Sequence, residues 1–409
     1  MSARPANPGN MTNYQMKAAM SDLSKYPRLT DLEAKAKSRI PAFMFAYLDA
    51  GTGRDIAKEA NEAAYRDISL TPQFLRGRVS ADTTTTLLGR TYGAPFGVAP
   101  IGLSSTIWPG AEQILARAAK AHNFPYALST VAGDSIERVV KAGGDITWFQ
   151  LYPPADRDIC FDLMRRAQDC GVETLVVTAD VPAPSRRERM RLSGGPVGSR
   201  GRSMYTPRVI MQSMVRPEWS LRMLANGGPR FRNMEPYAAK FGDMGITEFI
   251  GSQLNGGLDW DYLDVIRDRW PGKLLLKGIL HGQDAERAAR AGVDGLVISN
   301  HGGRQLDAAP HPLYQLPHIR AVVGNKMPLI VDSGIRSGLD VAKAIASGAD
   351  FVMIGRSFLY AVAALGNRGG EHAAGILMDE LQDVMRQLGV ENIDGLSGVS
   401  VTRTSSQAV

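Results

Sequence analysis

The sequence predicts a (β/α)8 barrel, and three features point to that fold class. Eight short apolar runs follow one another, most of them separated by a segment with helical periodicity. The runs are apolar on successive residues, as parallel strands covered on both faces are. At 409 residues, the chain has the length of one barrel with insertions. A doubly wound open sheet is the alternative that the same alternation allows.

The predicted strands and helices alternate in order. The strands are 95–102, 125–130, 146–152, 174–180, 274–279, 295–302, 328–334 and 351–356. Amphipathic spacing predicts helices at 111–122, 157–171, 282–292 and 337–349. Gly, Asn or Asp follows each helix, as helix C-caps require.

Two regions fall outside this repeat. Residues 1–25 form a tail, and the helical stretch 29–51 is expected to cap the bottom of the barrel or to lean over its rim. Residues 181–273 form an excursion after the fourth strand, far longer than an ordinary connection. Long excursions on barrel enzymes often carry binding functions. We therefore predict one barrel domain over 26–395, containing this insertion, and a C-terminal tail at 396–409.

The positive charge of the chain is local. The net charge is +6, and the segment 193–232 contains seven Arg and one acidic residue, Glu218. The remainder of the chain is nearly neutral, which argues against a general nucleic-acid binder and for one cationic surface.

The sequence also gives expectations about the compartment. Cys160 and Cys170 lie on one predicted helix, about 15 Å apart at the usual helical rise, too far for a disulfide. The N-terminus has no apolar signal-peptide core, and no run approaches the roughly eighteen apolar residues that span a bilayer. We expect a reduced, cytoplasmic protein.

Polar residues gather where the predicted strands end. Barrel active sites form where the C-terminal ends of the strands meet. From the first strand to the eighth, the residues there are Ala99, Pro100, Ile101 and Gly102; Ser129 and Thr130; Gln150 and Tyr152; Thr178 and Asp180; Lys277; Ser299, His301 and Arg304; Asp332, Ser333, Gly334, Ile335 and Arg336; and Gly355 and Arg356. The sequence therefore predicts an enzyme with its site at this rim.

The last two strands end in DSGIR (332–336) and IGR (354–356), which offer free backbone N–H groups, a helix N-terminus and two Arg. This is the usual phosphate site of such a barrel, so it indicates a phosphorylated substrate or a cofactor such as FMN. Lys277 ends an apolar strand and needs an anionic partner there. It is either a Schiff-base lysine or the partner of an electron-rich ring.

His301 and Arg304 suit one shared task. Arg offers a fork to a carboxylate, and His takes a proton from a group beside it. Asp180 at a neighbouring strand end would hold the imidazolium and raise its pKa. No cluster has the spacing of a metal site. The other five histidines, at positions 122, 281, 311, 318 and 372, are expected at the surface.

These motifs resemble those of the FMN-dependent 2-hydroxy-acid oxidase and dehydrogenase family, which includes glycolate oxidase, L-lactate dehydrogenase and (S)-mandelate dehydrogenase. The string SNHGGRQLD (299–307) is similar to the signature of that family. Other similar stretches are IPAFMFAYLDAG (40–51), APIG (99–102), FQLY (149–152), TADVPAPSRRE (178–188), LLKGIL (275–280), VDSGIRSGLDV (331–341) and IGRSFLY (354–360). The resemblance covers about residues 30–395 and implies oxidation of an (S)-2-hydroxy acid to the 2-oxo acid.

The resemblance also implies a role for each site residue. His301 is expected to be the base that removes the hydroxyl or C2 proton, with Asp180 on its other ring nitrogen. The substrate is expected to contact Arg187, Arg304 and Tyr47 through its carboxylate and Tyr152 through its hydroxyl. FMN is expected to contact the backbone of Pro100, Ile101 and Gly102; Ser129, Gln150, Thr178, Lys277 and Ser299 around its ring; and Asp332, Ser333, Gly334, Ile335, Arg336, Gly355 and Arg356 at its phosphate.

Two departures from the family pattern bear on function. Val131 stands where many members have Trp, which predicts a larger pocket for a bulky, aromatic or branched substituent. Glycolate oxidases typically have Ala at the position of Gly102. In having Gly there, this chain is similar to the dehydrogenases. This favours an electron acceptor other than oxygen.

The stretch YTPRVIMQSMVRPEWSLRML (205–224) mixes Arg with apolar residues, which suits a membrane interface. In mandelate dehydrogenase similar insertions are implicated in membrane attachment, which implies peripheral contact through 193–232 and a quinone acceptor. Packing on the barrel or on another subunit is the other interpretation, and Pro217 interrupts a continuous helix. Family members often form tetramers, so a homotetramer is expected.

Three alternatives remain open on the sequence alone. The first is an oxygen-using oxidase of the same family, which would release peroxide. The second is a flavin-free, phosphate-binding barrel such as an aldolase with Lys277 as its Schiff base. The third is a non-catalytic scaffold that presents the basic segment to membranes.

Overall fold

The computed structural model describes residues 24–194, 206–241, 244–254 and 256–403. Eight parallel strands form a closed barrel in which each pairs with the next along the chain. They are Phe96–Val98, Tyr126–Ser129, Thr147–Leu151, Thr174–Thr178, Lys273–Ile279, Gly295–Ile298, Leu329–Val331 and Phe351–Ile354. The eighth strand pairs with the first, Val352 opposite Phe96, and closes the ring. The predicted (β/α)8 barrel is confirmed, and the open sheet is excluded.

The described α-helices surround the barrel and extend from it. They are Leu29–Arg39, Ala42–Asp49, Ile56–Arg66, Ser104–Ile107, Ala111–His122, Ile136–Gly143, Arg157–Asp169, Glu188–Ser193, Pro207–Met214, Pro217–Ala225, Glu235–Ala238, Ile246–Gln253, Trp260–Arg269, Gly282–Arg290, Pro312–Val323, Gly338–Ala346, Arg356–Leu365, Gly369–Leu388 and Ile393–Leu396. Three predicted helices end two or three residues early because Gly171, Gly292 and Gly348 have positive φ and stop the helical path. Within the described part of the chain, no helix combines the length and apolar character needed to cross a membrane.

The barrel strands divide their side chains between two cores, as the two-residue period of a strand requires. One core fills the barrel and takes residues such as Trp148, Val176 and Phe351. The larger core lies between the strands and the helices and takes alternate residues such as Phe149 and Val177. Both faces of the sheet are therefore buried, which explains why most strand residues are apolar on successive positions.

A β-hairpin closes the N-terminal end of the barrel. Its strands are Thr85–Leu87 and Arg90–Tyr92, paired antiparallel. The ring of Tyr92 lies 6.4 Å from that of Trp148 and 5.8 Å from that of Phe351, measured between centroids. The hairpin therefore seals the end of the barrel that lies away from the predicted site.

The helical stretch 29–51 takes the rim position, the second of its two predicted alternatives. The helix Leu29–Arg39 packs against the helix Arg356–Leu365 that follows the eighth strand. The helix Ala42–Asp49 then brings Tyr47 to the cavity at the C-terminal ends of the strands.

The basic insertion has a buried side and an exposed side. Its helices Pro207–Met214 and Pro217–Ala225 are separate, as Pro217 predicted. Trp219 is buried and donates its indole N–H to the carbonyls of Thr106 and Ile107. Between residues 190 and 225, the exposed large apolar side chains of the described chain are Leu192, Ile210, Met211, Met214, Val215, Leu221 and Leu224, here called the apolar patch. Arg200 and Arg202 of the predicted segment lie outside the described residues.

The C-terminal residues of the described chain are paired. Val401–Arg403, which the sequence assigned to the tail, forms an antiparallel strand pair with Ile68–Leu70. Residues 1–23 and 404–409 of the two predicted tails lie outside the described ranges.

Candidate active site

A cavity of about 430 Å³ lies at the C-terminal ends of the barrel strands. The predicted site residues that line it are Tyr47, Pro100, Ile101, Gly102, Tyr152, Thr178, Arg187, Lys277, His301, Arg304, Asp332, Ser333, Gly334, Ile335, Arg336, Gly355 and Arg356. Four predicted site residues do not line the cavity: Ser129, Gln150, Asp180 and Ser299. Each of them is hydrogen-bonded to another predicted site residue. The structure therefore brings together every site residue that the sequence predicted.

Asp180 is the centre of the charged network. Its Oδ1 lies 2.7 Å from Nδ1 of His301, and its Oδ2 accepts a hydrogen bond of 3.2 Å from Nζ of Lys277. Gly278 has φ +102, and a Cβ there would lie 2.4 Å from Cβ of Asp180. Glycine after Lys277 is thus required for this close approach.

The network sets the protonation states. Burial lowers the pKa of His301 below its ordinary value, and Asp180 opposes part of that shift. The imidazole is therefore neutral at pH 7 and can accept a proton. Burial alone would also lower the pKa of Lys277, but Asp180 and Asp332 raise it above its ordinary value. Lys277 therefore keeps its positive charge, which makes it a poor Schiff-base nucleophile.

The backbone presents His301 to the cavity in a restricted conformation. His301 has φ +57, which is rare outside glycine. Its N–H donates to Oγ of Ser299, and the next N–H, of Gly302, donates to Oγ of Ser333. The side chain of Asn300 accepts from the N–H of Gly303. These bonds hold a backbone conformation that would otherwise be unfavourable.

Two tyrosines line the cavity, one of them beside the histidine. The hydroxyl of Tyr152 lies 3.4 Å from Nε2 of His301. Burial, together with the negative charge of Asp180, raises the pKa of Tyr152 to about 12, so its hydroxyl stays protonated and can donate. The hydroxyl of Tyr47 donates to the carbonyl of Gly102 at 2.8 Å. Both phenol groups belong to the cavity wall.

The guanidinium groups of Arg187 and Arg304 make the cavity cationic. Burial and the positive charges of Arg187 and Arg356 lower the pKa of Arg304. Arg304 also donates to the carbonyls of Tyr47 and Leu48, which fixes the rim helix. An anion in the cavity would relieve the repulsion between these cations, and a carboxylate can accept hydrogen bonds from guanidinium groups.

The ends of the seventh and eighth strands form a second cationic region, which we tested as a phosphate site. Gly334 has φ +90, and a Cβ there would lie 1.9 Å from the carbonyl oxygen of Asn61. Among the described residues, Nε of Arg336 and Nε of Arg356 are buried donors without a partner. Unsatisfied buried donors are costly, so a ligand with several acceptor oxygens fits these residues. The donor set thus fits the phosphate of FMN.

A buried chain of hydrogen bonds supports the cavity floor. Oγ of Ser129 donates to Oε1 of Gln150 at 2.8 Å, and Nε2 of Gln150 donates to Oγ1 of Thr178 at 3.0 Å. Ser299 accepts from Nζ of Lys277 at 2.7 Å. These residues orient groups that face the cavity.

Several residues of the cavity wall were missed by sequence reasoning. The insertion contributes Pro229, Phe231, Ile246, Thr247, Ile250, Gly251 and Leu254. The length of the insertion indicated a binding function without identifying its residues. The spacing of Ile246, Ile250 and Leu254, one helical turn apart, indicates an apolar face without identifying what it covers.

The expectation that the five histidines other than His301 lie at the surface is wrong for two of them. His311 is buried, and its Nδ1 accepts from the N–H of Leu313, capping the helix Pro312–Val323. His372 is buried in the helix Gly369–Leu388. Within the described residues, no group of three or more His, Cys, Asp or Glu side chains is placed to hold a metal ion.

Comparison with known proteins places this geometry in a family. The model of the family described as FMN-dependent dehydrogenase matches residues 36–403. The chain is 36% identical over 385 residues to an L-lactate dehydrogenase of Xanthomonas campestris pv. campestris (strain 8004), with 93% of this chain and 97% of that protein covered. It is 38% identical over 371 residues to an L-lactate dehydrogenase of Pseudomonas syringae pv. syringae (strain B728a), covering 89% and 95%.

Solved structures agree with this assignment. A crystal structure of the monotopic membrane protein (S)-mandelate dehydrogenase matches with a TM-score of 0.84 and 31% identity, covering 91% of this chain and 98% of that one. A mandelate oxidase with (S)-4-hydroxymandelic acid matches with a TM-score of 0.79 and 32% identity, covering 92% and 99%.

Proposed function

The chain belongs to the family of FMN-dependent dehydrogenases, and from this premise we propose that it oxidises an (S)-2-hydroxy acid to the 2-oxo acid. Bound FMN supplies the acceptor for the two electrons of such an oxidation. The observation that carries the proposal is the hydrogen bond between Asp180 and His301, at a cavity that also contains Arg187 and Arg304. This arrangement offers a proton acceptor and a carboxylate site together.

Each residue has a definite task in this proposal. Arg187 and Arg304 bind the substrate carboxylate, assisted by the hydroxyl of Tyr47. Tyr152 donates a hydrogen bond to the substrate hydroxyl, since its raised pKa keeps it protonated. Neutral His301 takes the hydroxyl or C2 proton on Nε2 because its Nδ1 faces Asp180. Asp180 then stabilises the imidazolium.

FMN would be held by the residues that the resemblance implies. Lys277 would place its charge beside the flavin ring, over the floor formed by Ser129, Gln150 and Thr178, while the backbone of Pro100 to Gly102 would meet the same ring. The phosphate would meet residues 332–336 together with Gly355 and Arg356. The unpartnered buried donors of Arg336 and Arg356 support this placement.

We propose peripheral attachment to the cytoplasmic face of the membrane and a quinone as electron acceptor. The apolar patch and its neighbouring arginines support attachment, because apolar side chains flanked by cations suit the boundary between headgroups and acyl chains. The similarity to a monotopic membrane (S)-mandelate dehydrogenase points the same way. Assembly as a homotetramer stays a prediction, to be tested by light scattering in detergent.

Oxygen is the second candidate acceptor, because mandelate oxidases are among the similar structures. The aldolase alternative is disfavoured by the raised pKa of Lys277. One experiment distinguishes the dehydrogenase, the oxidase and the aldolase. Visible spectra of the purified protein are recorded anaerobically with separate enantiomers of lactate, mandelate and a branched 2-hydroxy acid. Bleaching by an (S)-acid that persists after air is admitted would support the dehydrogenase; rapid recovery with peroxide would support the oxidase. A colourless protein that does not bind added FMN would refute the proposal.

A further inference from the structure

We infer that the insertion forms the binding site for the C2 substituent of the substrate, and that this substituent is an apolar group larger than the methyl of lactate. The inference rests on the proposed function, since it places the substituent relative to a bound carboxylate. It assigns the substrate class and the residues that select it.

The wall that the described residues among 229–254 contribute to the cavity is apolar except for Thr247. The helix Ile246–Gln253 presents Ile246 and Ile250, one turn apart, to the cavity, and Leu254 continues the same face. Phe231 adds an aromatic ring. Among described residues after position 228 in the insertion, Thr247 contributes the one polar side chain of this wall. A charged or hydroxylated substituent would therefore lose water without gaining hydrogen bonds.

The wall is also held in place. Phe249, on the flank of the same helix, is fully buried, with its ring centroid 4.9 Å from that of Phe241. The carbonyl of Gln253 accepts from the N–H of Ala155 at 2.8 Å, and its Oε1 accepts from the N–H of Asp156 at 3.0 Å. These bonds tie the helix to the loop after the third barrel strand. An apolar wall fixed in advance favours ligands that fill it.

The barrel side of the cavity extends the apolar surface. Leu103 and Val131 line it, and the N–H of Leu103 donates to the carbonyl of Val131 at 2.9 Å. Arg187 and Arg304 line the same cavity, so the remaining part of a 2-hydroxy acid whose carboxylate they hold would extend into the space that these side chains line. A larger apolar substituent buries more of this surface than a methyl group does, and each further buried methylene should strengthen binding about fourfold.

The test measures anaerobic flavin reduction by stopped flow with (S)-lactate, (S)-2-hydroxy-4-methylpentanoate and (S)-mandelate. We expect the ratio of rate constant to dissociation constant to be at least tenfold higher for the two larger acids than for lactate. Ile250→Thr should reduce this preference about tenfold, because it removes apolar contact and adds a hydroxyl. Glu248→Thr is the matched control, since it places the same residue on the exposed face of the same helix.

A second readout does not depend on turnover. Phenylacetate and acetate lack the 2-hydroxyl and cannot be oxidised, so their dissociation constants follow from changes in the flavin spectrum. We expect phenylacetate to bind the wild-type protein at least tenfold more tightly than acetate, and Ile250→Thr to remove most of that difference.

Results that contradict the substrate class, the assignment of the wall and the proposed function can be told apart. Equal or faster reduction by lactate would overturn the substrate class while leaving hydroxy-acid oxidation intact. Equal effects of Ile250→Thr and Glu248→Thr would overturn the assignment of the wall. If Ile250→Thr slowed only reoxidation by a soluble quinone, the wall would serve the acceptor, and the inference would again be wrong. Bleaching by none of the acids would instead refute the proposed function.

Discussion

Oδ1 of Asp180 lies 2.7 Å from Nδ1 of His301, so this carboxylate fixes which nitrogen of the ring faces the cavity. The same carboxylate binds Lys277 through its other oxygen. Asp180 therefore orients the proposed base and, together with Asp332, holds the charge of the lysine beside it. Its removal should affect proton transfer and the pH at which it occurs.

Asp180→Asn should lower kcat/KM by about 100- to 10,000-fold, because an amide cannot neutralise the imidazolium. The carboxylate raises the pKa of His301, so its loss lowers that pKa further. The acidic limb of the pH profile of kcat/KM should therefore move to lower pH. An unchanged limb in steady-state kinetics across pH would contradict the coupling of these two residues.

His301→Gln should retain bound flavin yet lose flavin reduction by about 100- to 10,000-fold, because the side chain that accepts the proton is gone. Flavin content is read from the visible spectrum and the rate from anaerobic stopped flow. In the wild-type protein, burial lowers the pKa of His301, so activity should fall with acidity only below the ordinary value of 6.5. Normal reduction by the variant would refute the assignment of the base.

Arg187→Met should raise KM for the hydroxy acid about 10- to 100-fold, because a charged hydrogen bond to the carboxylate is lost. Arg186→Met is the control: the neighbouring side chain is 81% exposed and does not line the cavity. Steady-state kinetics on both variants check this prediction. Similar KM values in the two variants would exclude Arg187 from carboxylate binding.

The fold was predictable from the sequence because both faces of the barrel sheet are buried. That burial makes the strands apolar over successive residues, as Trp148–Phe149 and Leu175–Val177 are. The rim position of Asp180, His301 and Arg304 followed from their places just after strands. Barrel topology then brings distant strand ends together without further information.

Other features depend on tertiary contacts that periodicity does not encode. His311 is buried because it caps a helix against Tyr65 and Tyr314, a placement that a lone histidine in a loop does not signal. An apolar face such as that of Ile246 and Ile250 can cover a core, a cavity or a partner with the same spacing. Its assignment to the cavity required the three-dimensional path of the insertion.

The double variant Met214→Gln/Leu221→Gln should lose binding to anionic lipid vesicles, because both side chains belong to the apolar patch and are 73% and 68% exposed. Flavin reduction should be unchanged, since neither residue lines the cavity. Val322→Gln/Leu339→Gln, on helices elsewhere, is the matched control. Vesicle sedimentation checks the prediction, and equal binding by both variants would argue against attachment through this patch.

Gly102 and Val131 should be energetically coupled. A Cβ at Gly102 would lie 2.7 Å from Cγ2 of Val131, and a valine side chain has little rotamer freedom to move away. Gly102→Ala should therefore lower the free energy of unfolding by about 1–3 kcal/mol, the usual cost of overpacking. In Gly102→Ala/Val131→Ala that conflict is absent, so the double variant should be more stable than the sum of the single effects by about 1 kcal/mol. Urea unfolding at saturating FMN measures the free energy of unfolding of the wild-type protein, the two single variants and the double variant. Additive effects would show that the side chains at the two positions do not compete for the same space.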